Sequence, residues 1–366
     1  MAFALLLVPA EPAVASDQRA KKLLGLTLPL RLALTAQQSG ATAIVTTSPE
    51  TKKLLDDPRL RIPVVEARPS GTSLITAPEN LLIHRGLLSQ VEKTRGGADT
   101  HLVDDAVPFA PPYGFEPILI ADKPSRSRGT SALLRSLRKP QDGWTSTLLN
   151  RYISLFFTRF LVATPLTPNT VSLGILLIGL GGAYAASLGP YATTLLGALL
   201  FQMQSVLDGC DGEMSRLTFR GSVTGEWLDT IGDDLTNYGF FTAAAWGLFK
   251  TTAQPLYLVA GATVLFCGLL TSGIEYRYLV KIGSGDLNKY PIGVGAAPGG
   301  SGPPTLLDRV SPLFKRDTFV FLTLLAAALN ILGVFLILFA LGAVGIVVAV
   351  VKAELRMARE RKAAAS

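Results

Sequence analysis

Short apolar runs alternate with segments of helical periodicity in the first third of the chain. Runs rich in Leu, Ile, Val and Ala predict strands at Ala4–Val8, Ala43–Thr46, Pro63–Ala67 and Pro117–Ala121. Between these runs, Leu28–Gln38 and Pro49–Leu55 have helical periodicity, and Ser48 is a suitable N-cap for the second helix. Strands that alternate with helices are typical of a parallel, doubly wound layer. Residues 1–125 are therefore predicted to form a small soluble α/β domain, Rossmann-like in its pattern.

The second half of the chain contains much longer apolar stretches. A helix that crosses a membrane needs about 20 mostly apolar residues. Such stretches predict spans at Thr170–Leu188, Tyr191–Leu207, Leu235–Phe249, Pro255–Ile274 and twice within Thr318–Val351. Asn330 and Gly333 mark the turn between the last two spans. The pattern predicts an α-helical membrane domain with six transmembrane helices over residues 164–356.

The segments that flank this domain are basic or amphipathic. Residues 126–143 form a predicted basic linker, and residues 357–366 form a basic tail. In residues 144–163, aromatic and aliphatic side chains are interrupted by Arg151 and Arg159, which is typical of a helix that lies in the membrane interface. A helix packed against the soluble domain is the alternative interpretation.

Composition and charge agree with an integral membrane protein. Apolar residues make up 49% and charged residues 17% of the sequence, compared with about 25% charged residues in typical soluble proteins. The net charge is +7, but the basic residues cluster beside the predicted spans, which favours contact with lipid headgroups over nucleic acid. With six spans, every basic segment falls on one side. The positive-inside tendency predicts that this side, including both termini, is cytoplasmic.

A charged block lies between the second and third predicted spans. Asp208 and Asp211 are three residues apart, and Asp229 and Asp233 are four apart, so each pair shares one face of a helix. Ionisable residues at the end of a membrane helix are costly and are usually functional. If the two helices are antiparallel neighbours, all four carboxylates converge. The alternative is a set of loop acids that cap helices or pair with nearby arginines.

Clustered carboxylates repel one another unless cations neutralise them. Hard divalent ions such as Mg²⁺ and Mn²⁺ prefer oxygen ligands, and two such ions can clamp the attacking and leaving oxygens of a phosphoryl displacement. Gly212 and Gly225 lie near the aspartates and would let a base or ribose approach the backbone. Arg216 is five residues after Asp211 and could reach a phosphate. The block therefore predicts a metal-dependent phosphotransfer site.

The same block resembles the signature of the CDP-alcohol phosphotransferase (CDP-alcohol phosphatidyltransferase) family, D-x2-D-G-x2-A-R-x8-G-x3-D-x3-D. Seven of its positions match with every spacing preserved: Asp208, Asp211, Gly212, Arg216, Gly225, Asp229 and Asp233. Ser215 departs from the pattern, which has alanine there. Serine is also small, so activity is expected to survive, although its hydroxyl group could alter nucleotide affinity.

The resemblance covers residues 140–356 and implies a cytoplasm-facing cavity that binds two divalent cations, Mg²⁺ or Mn²⁺. It implies that Asp208, Asp211 and Asp229 are metal ligands, and that Asp233 both touches a metal and serves as the general base. Gly212, Ser215, Arg216 and Gly225 are then expected to bind the CDP moiety. The implied reaction transfers a substituted phosphate from a CDP-alcohol to an acceptor alcohol and releases CMP. Family members are commonly homodimers in the lipid bilayer.

Residues Leu134–Ser154 resemble a subgroup in which this module is joined to a nucleotidyltransferase domain. Members of that subgroup make di-inositol phosphates from CDP-inositol and inositol phosphate. The segment Pro9–Ser16, which follows the first predicted strand, contains no glycine, whereas an active nucleotidyltransferase needs a glycine-rich turn there. The first domain is therefore interpreted as a degenerate nucleotidyltransferase-like domain, with an unrelated α/β module as the alternative.

Substrate identity stays open at this stage. Arg277 and Arg316 lie on the predicted cytoplasmic side and could bind the phosphate of an acceptor, or could instead anchor the helices to lipid headgroups. The donor could be CDP-diacylglycerol or CDP-inositol, and the product a phospholipid or a soluble phosphodiester. A cation transporter and a non-catalytic membrane scaffold are the alternative functions.

Overall fold

The chain divides into two units, each with its own core. A computed structural model describes residues 2–10, 20–95, 97–105, 115–138, 145–291 and 315–365. The first unit contains Met1–Lys139 together with Leu161–Pro165 and Met214–Arg220; the second contains Pro140–Phe160, Leu166–Glu213 and Gly221–Ser366.

Strands of the first unit form a parallel sheet and a separate antiparallel pair. The strands are β1 (Phe3–Val8), β2 (Ala43–Val45), β3 (Val64–Val65), β4 (Ser73–Pro78), β5 (Leu81–Leu82), β6 (Thr100–His101) and β7 (Ile118–Leu119). The parallel sheet has the order β3-β2-β1-β4-β6, and β5 pairs with β7. Because β1 lies between β2 and β4, the strand order reverses there, as in doubly wound α/β folds.

The core of this unit follows from the alternation of side chains along β1. Phe3, Leu5 and Leu7 belong to the main buried cluster, whereas Ala4 packs with a smaller cluster on the opposite face of the sheet. In the register of the central pair, Leu5 lies beside Ile75 of β4. The predicted α/β layer is therefore confirmed.

The first unit has four described α-helices: α1 (Leu28–Gln38), α2 (Pro49–Leu55), α3 (Leu87–Arg95) and α4 (Lys123–Arg135). The bounds of α1 and α2 agree with the predicted ones, and the Ser48 hydroxyl caps α2 by accepting a hydrogen bond from the Thr51 amide. At α4 the structure differs from the prediction, because most of this helix lies in the expected basic linker. Gly129, Ala132 and Leu133 are buried on its apolar face, so this segment is a packed helix and not an exposed linker between domains.

A buried arginine holds three carbonyl groups within this unit. The Arg31 guanidinium on α1 donates hydrogen bonds to the carbonyls of Leu217 (2.9 Å), Leu23 (2.8 Å) and Leu24 (3.0 Å). Burial lowers the pKa of Arg31 to about 10, so the side chain remains charged at pH 7. Its hydrogen bonds offset the cost of taking that charge out of water.

We expect Arg31→Met to destabilise the first unit by about 2–4 kcal/mol, because three carbonyls, two of them in buried hydrogen bonds, lose a charged donor. The loss of stability would be measured by chemical or thermal unfolding, with limited proteolysis used to monitor the unfolding of this unit. Arg61→Met, which changes an exposed side chain, is the matched control and should shift stability by less than about 0.5 kcal/mol. Equal stabilities for the two variants would contradict the role of Arg31.

The helices that belong wholly or partly to the second unit are α5 (Arg151–Leu161), α6 (Pro168–Ser187), α7 (Tyr191–Leu207), α8 (Gly209–Thr218), α9 (Val223–Thr252), α10 (Pro255–Ile282), α11 (Arg316–Ala328) and α12 (Leu332–Ala365). A π-helical turn, Ser146–Asn150, leads directly into α5. Asn330 has a positive φ of 57° between α11 and α12, where the sequence predicts a turn. Trp144, the first residue of the predicted interfacial helix, lies outside the described residues.

Among the residues that the structure describes, three helices are long and apolar enough to cross a membrane: Pro168–Ser187, Pro255–Ile282 and the segment Leu332–Arg359. They indicate a membrane protein. The other three predicted spans also form helices, α7, α9 and α11, but these are short or carry charged residues in their first turns. The prediction of six transmembrane helices is thus not confirmed by length and composition.

Small and aromatic residues alternate in the core of the second unit. Phe201 stacks on Phe240 with ring centroids 4.4 Å apart, and Phe241 stacks on Phe339 at 4.0 Å. A Cβ atom added to Gly197 of α7 would lie 2.6 Å from the carbonyl oxygen of Gly182 on α6. The two helices therefore approach as closely as small residues allow, which is the usual way of packing membrane helices.

Candidate active site

Two helices and the residue between them position the first pair of aspartates. Asp208 follows the last residue of α7 and has helical dihedral angles (φ −52°, ψ −32°), and its amide donates to the carbonyl of Gln204 at 2.9 Å. Because α8 begins at the next residue, Gly209, Asp211 falls in the first turn of α8, three residues after Asp208.

The second pair of aspartates lies in the first turns of α9. The Ser222 hydroxyl caps this helix by accepting a hydrogen bond from the Gly225 amide at 3.0 Å. Asp229 and Asp233 are one turn apart and face the same direction. Asp208, Asp229 and Asp233 each offer a carboxylate oxygen, and these oxygens all lie within 4.8 Å of one another. The structure thus brings together three of the four predicted carboxylates.

Asp211 has different partners. It is 7% exposed, and its carboxylate accepts hydrogen bonds from the Ser172 hydroxyl of α6 and from the Gly212 amide. These bonds hold the side chain against α6. Asp211 is not one of the three grouped carboxylates and remains a predicted metal ligand.

Arg316 lies among the carboxylates. Its Nη1 atom is 2.6 Å from an oxygen of Asp233 and 2.9 Å from an oxygen of Asp208. The same guanidinium donates to Gln204 at 2.8 Å and to Asn237 at 3.3 Å. One positive charge therefore faces three carboxylates, and this group of four side chains has a net charge of about −2 when all are ionised.

Gln204 and Asn237 were not among the residues singled out in the sequence, although a signal was present. Gln204 precedes Asp208 by four residues, and Asn237 follows Asp233 by four, so both continue the helix faces that carry the aspartates. Ser172 was also missed. It lies on a different helix from Asp211, and no spacing along the sequence connects the two.

Gly225 lies where two helices of the second unit meet. A Cβ atom at this position would be 2.9 Å from Asn169 Oδ1 and 3.2 Å from Ser222 Oγ. Asn169 belongs to the first turn of α6, which begins at Pro168 and is capped by Thr167. A larger residue here would displace the Asn169 side chain, and the glycine also keeps its predicted role of giving a nucleotide access to the backbone. Gly212 is half-buried beside Asp211.

Three further predicted residues lie on α8 and α10. Ser215 and Arg216 are half-buried in the part of α8 that belongs to the first unit. Arg277 is exposed near the end of α10. Of the two arginines predicted to bind an acceptor phosphate, the structure thus places Arg316, and not Arg277, against the aspartates.

The donor set fits divalent cations. Three carboxylates offer hard oxygen ligands, the type that Mg²⁺ and Mn²⁺ prefer. Carboxylates this close repel one another, and a single guanidinium compensates only part of their charge. Many phosphoryl-transfer sites hold two cations, which lie about 4 Å apart. The carboxylate group therefore has the chemistry of a metal centre.

Comparison with known proteins identifies relatives of one kind. The chain is 36% identical over 104 residues to the bifunctional IPC transferase and DIPP synthase of Aquifex aeolicus, a match that covers 28% of this chain and 23% of the relative. It is 28% identical over 151 residues to the protein of the same name from Archaeoglobus fulgidus, covering 41% and 29%. The Rubrobacter xylanophilus protein of that name is 36% identical over 147 residues, covering 39% and 31%. No protein-family model matches the chain.

These relatives confirm the resemblance that the motif predicts, since all are named as transferases and synthases. The matched segments span less than a third of each relative's own length. The relatives thus support transferase activity of this general type in the group to which the chain is related.

Proposed function

We propose that the chain, as a homologue of proteins named bifunctional IPC transferase and DIPP synthase, is a CDP-alcohol phosphotransferase. It would transfer a substituted phosphate group from a CDP-alcohol to the hydroxyl group of an acceptor alcohol and release CMP. The observation that carries the proposal is the convergence of Asp208, Asp229 and Asp233 within 4.8 Å, at the spacing of the family signature.

In this proposal Asp208, Asp211 and Asp229 hold two divalent cations, Mg²⁺ or Mn²⁺, and Asp233 shares in their binding. When bound, the cations would neutralise charge on the diphosphate and on the departing CMP. Asp211, fixed by Ser172 and the Gly212 amide, would keep its position whether or not cations are present. Such preorganisation is expected where a metal site must hold its geometry.

Asp233 would be the general base. The acceptor hydroxyl oxygen attacks the phosphorus atom that carries the alcohol of the donor, and the bond from that phosphorus to the CMP oxygen breaks. The hydroxyl proton passes to a carboxylate oxygen of Asp233, and CMP leaves as the anion. Gly212, Ser215, Arg216 and Gly225 would bind the CDP moiety, as the signature implies.

Arg316 would bind the phosphate of a phosphorylated acceptor. Its guanidinium already lies 2.6 Å from Asp233, so an anion held by Arg316 would be next to the proposed base. Arginine suits this role because its planar group can donate two hydrogen bonds to a phosphate. Within this proposal, inositol phosphate and glycerol phosphate are better acceptors than serine, and the subgroup resemblance favours CDP-inositol over CDP-diacylglycerol as the donor.

The proposed setting is the lipid bilayer. Six membrane helices, with the active site and both termini on the cytoplasmic side, would account for the basic segments beside the spans. Residues 144–163 would lie in the membrane interface, since Tyr152, Phe156 and Phe160 of α5 are exposed. A homodimer is proposed from the resemblance.

The first unit would be a degenerate nucleotidyltransferase-like domain, which its parallel sheet and strand order support. Residues 11–19, where a phosphate-binding turn would lie, are outside the described residues.

The test is CMP release by the purified protein in lipid vesicles. CDP-inositol and CDP-diacylglycerol would be offered separately with inositol phosphate, glycerol phosphate or serine, with Mg²⁺, Mn²⁺ or a chelator. We expect CMP release that requires both a divalent cation and one particular acceptor. Absence of release from every pair, in protein that binds Mn²⁺, would contradict the proposal and favour the scaffold. Cation flux into the vesicles without CMP release would favour the transporter.

A further inference from the structure

Glu213 is a fully buried carboxylate beside the proposed metal site. Its exposed fraction is 0%, and it follows Asp211 by two residues on α8. Arg151 Nη1 donates a hydrogen bond to Oε1 at 2.7 Å, and the Ser154 hydroxyl donates to the same oxygen at 2.8 Å. The Thr158 hydroxyl donates to Oε2 at 2.7 Å. Both oxygens of a buried charge are thus bound by one neighbouring helix.

The three donors form a single row along α5. Residues 151, 154 and 158 are spaced by three and then four, so they share one face of the helix. The opposite face of α5 exposes Tyr152, Phe156 and Phe160. A polar face directed at one glutamate and an apolar face directed outward give α5 a defined rotation about its axis.

The contact between α5 and α8 is also close at the backbone. A Cβ atom on Gly209 would lie 3.1 Å from Arg151 Nη1, 3.3 Å from Glu213 Oε1 and 3.4 Å from Ser154 Oγ. The Cys210 thiol reaches the Ser154 carbonyl at 3.5 Å. Gly209 immediately follows Asp208, so the first turn of α8, which begins next to one proposed metal ligand and contains another, rests directly on α5.

Net stability alone does not account for such an ion pair. Moving two charges into a protein interior costs about as much as their attraction returns, and well-packed apolar replacements are often as stable or more so. What a buried, fully hydrogen-bonded carboxylate does supply is one defined orientation, because a rotated helix would leave the charge without its partners.

We propose that Glu213 is a positioning residue for the metal-binding aspartates. By binding Arg151, Ser154 and Thr158, Glu213 fixes the rotation of α8 and its position along the helix axis relative to α5. It thereby fixes the directions of Asp208 and Asp211. The inference rests on the proposed function in that these aspartates hold divalent cations. Metal ligands must be placed to within about 0.5 Å and 10–20°, which a helix free to rotate does not provide.

The test measures Mn²⁺ binding to the purified protein of residues 1–366, without substrate, by electron paramagnetic resonance. We expect Glu213→Gln to raise the Mn²⁺ dissociation constant about tenfold, the usual effect of losing a supporting residue of a metal site. Thr158→Val, which removes one hydroxyl group with little change of shape, should raise it about threefold. This milder variant keeps the test decisive if Glu213→Gln does not fold.

A double variant separates positioning from stability. Arg151→Met combined with Glu213→Leu replaces the ion pair by apolar side chains, and we expect a melting temperature close to that of the wild type together with weakened Mn²⁺ binding. Glu354→Gln, which alters a carboxylate on α12 that accepts a hydrogen bond from the Tyr290 hydroxyl, is the control and should leave Mn²⁺ binding unchanged. Mn²⁺ binding of wild-type strength in folded Glu213→Gln, Thr158→Val and the double variant would overturn the proposal.

The outcomes distinguish this inference from the proposed function. Wild-type protein that binds Mn²⁺ but releases no CMP would defeat the proposed reaction, while weaker Mn²⁺ binding by the Glu213 variants would still support positioning. CMP release by the wild type together with unchanged Mn²⁺ binding in the variants would defeat positioning alone. A wild-type protein without measurable Mn²⁺ binding would overturn both.

Discussion

Asp233→Asn is expected to lower kcat for CMP release by about 10²- to 10⁴-fold, the usual contribution of a general base. Asparagine has nearly the same shape as aspartate and can still accept a hydrogen bond from Arg316, which lies 2.6 Å from the carboxylate. It cannot take up the proton of the acceptor hydroxyl. Binding of the CDP-alcohol should therefore change by only a few-fold, and equilibrium binding measured beside single-turnover kinetics would separate the two effects.

The adjacent residue provides a matched control. Asp234 accepts hydrogen bonds from the hydroxyl groups of Ser272 and Tyr276 on α10, and it is not part of the three-carboxylate group. Asp234→Asn makes the same chemical change one residue away and should leave kcat within a few-fold of the wild type. Equal losses in the two variants would show that the effect is structural, and normal turnover of Asp233→Asn would eliminate it as the base.

The motif allowed the carboxylate group to be predicted largely from spacing. Residues three and four apart on a helix share a face, and three of the four predicted carboxylates, those of Asp208, Asp229 and Asp233, do converge. Asp211 shows the limit of that reasoning. Its side chain is held by Ser172, 39 residues earlier in the chain, and such a partner depends on how α6 and α8 pack.

The same limit explains the residues that support the site. Gln204 and Asn237 continue the faces of the aspartates and could have been found from their spacing of four. Glu213 occupies a variable position of the signature, and its importance depends on the neighbouring helix that supplies its partners. A buried acid paired across helices carries no local sequence signal, because its partner is chosen by tertiary structure.

In the first unit, strongly apolar runs were predictable and weakly apolar ones were not. The Leu-rich run of β1 and the periodic helix α1 were both expected. Strand β4, Ser73–Pro78, was missed because it contains Ser, Thr and Pro, yet it pairs with β1 along its whole length. Strand β4 is a central strand because it lies beside β1, the most apolar strand of the sheet. The topology of the fold, and not the composition of β4, determines this position.

Membrane helices were predicted from apolar length, and this criterion weakens where function requires charge. Helix α9 is 30 residues long, but its first turns contain Glu226, Asp229, Asp233 and Asp234. Helix α7 is uncharged but has only 17 residues, and Asp208 follows its last residue, Leu207. Helices α7 and α9, which position the aspartates, thus depart most from the composition of an ordinary membrane span. This is expected if ionisable residues in membrane helices are functional.

Arg316 has two effects that a single substitution can separate. Its guanidinium compensates part of the charge of Asp208 and Asp233, and in the proposed function it also binds the acceptor phosphate. A cation close to the carboxylates weakens the binding of divalent cations by repulsion, whereas the same cation strengthens the binding of a phosphate. Loss of the charge should therefore change the two affinities in opposite directions.

For Arg316→Met we expect the KM of a phosphorylated acceptor to rise about 30- to 100-fold, which corresponds to the loss of about 2–3 kcal/mol of charge-assisted hydrogen bonding. Mn²⁺ should bind several-fold more tightly to the substrate-free Arg316→Met variant than to the substrate-free wild type. Steady-state kinetics with varied acceptor and Mn²⁺ titration without substrate would measure the two. Lys281→Met, an exposed basic residue in the last turn of α10, controls for a general loss of positive charge. If Arg316 only supported the fold, its removal would weaken both affinities together, so weaker Mn²⁺ binding by the variant would contradict the assignment of Arg316 as the acceptor-binding residue.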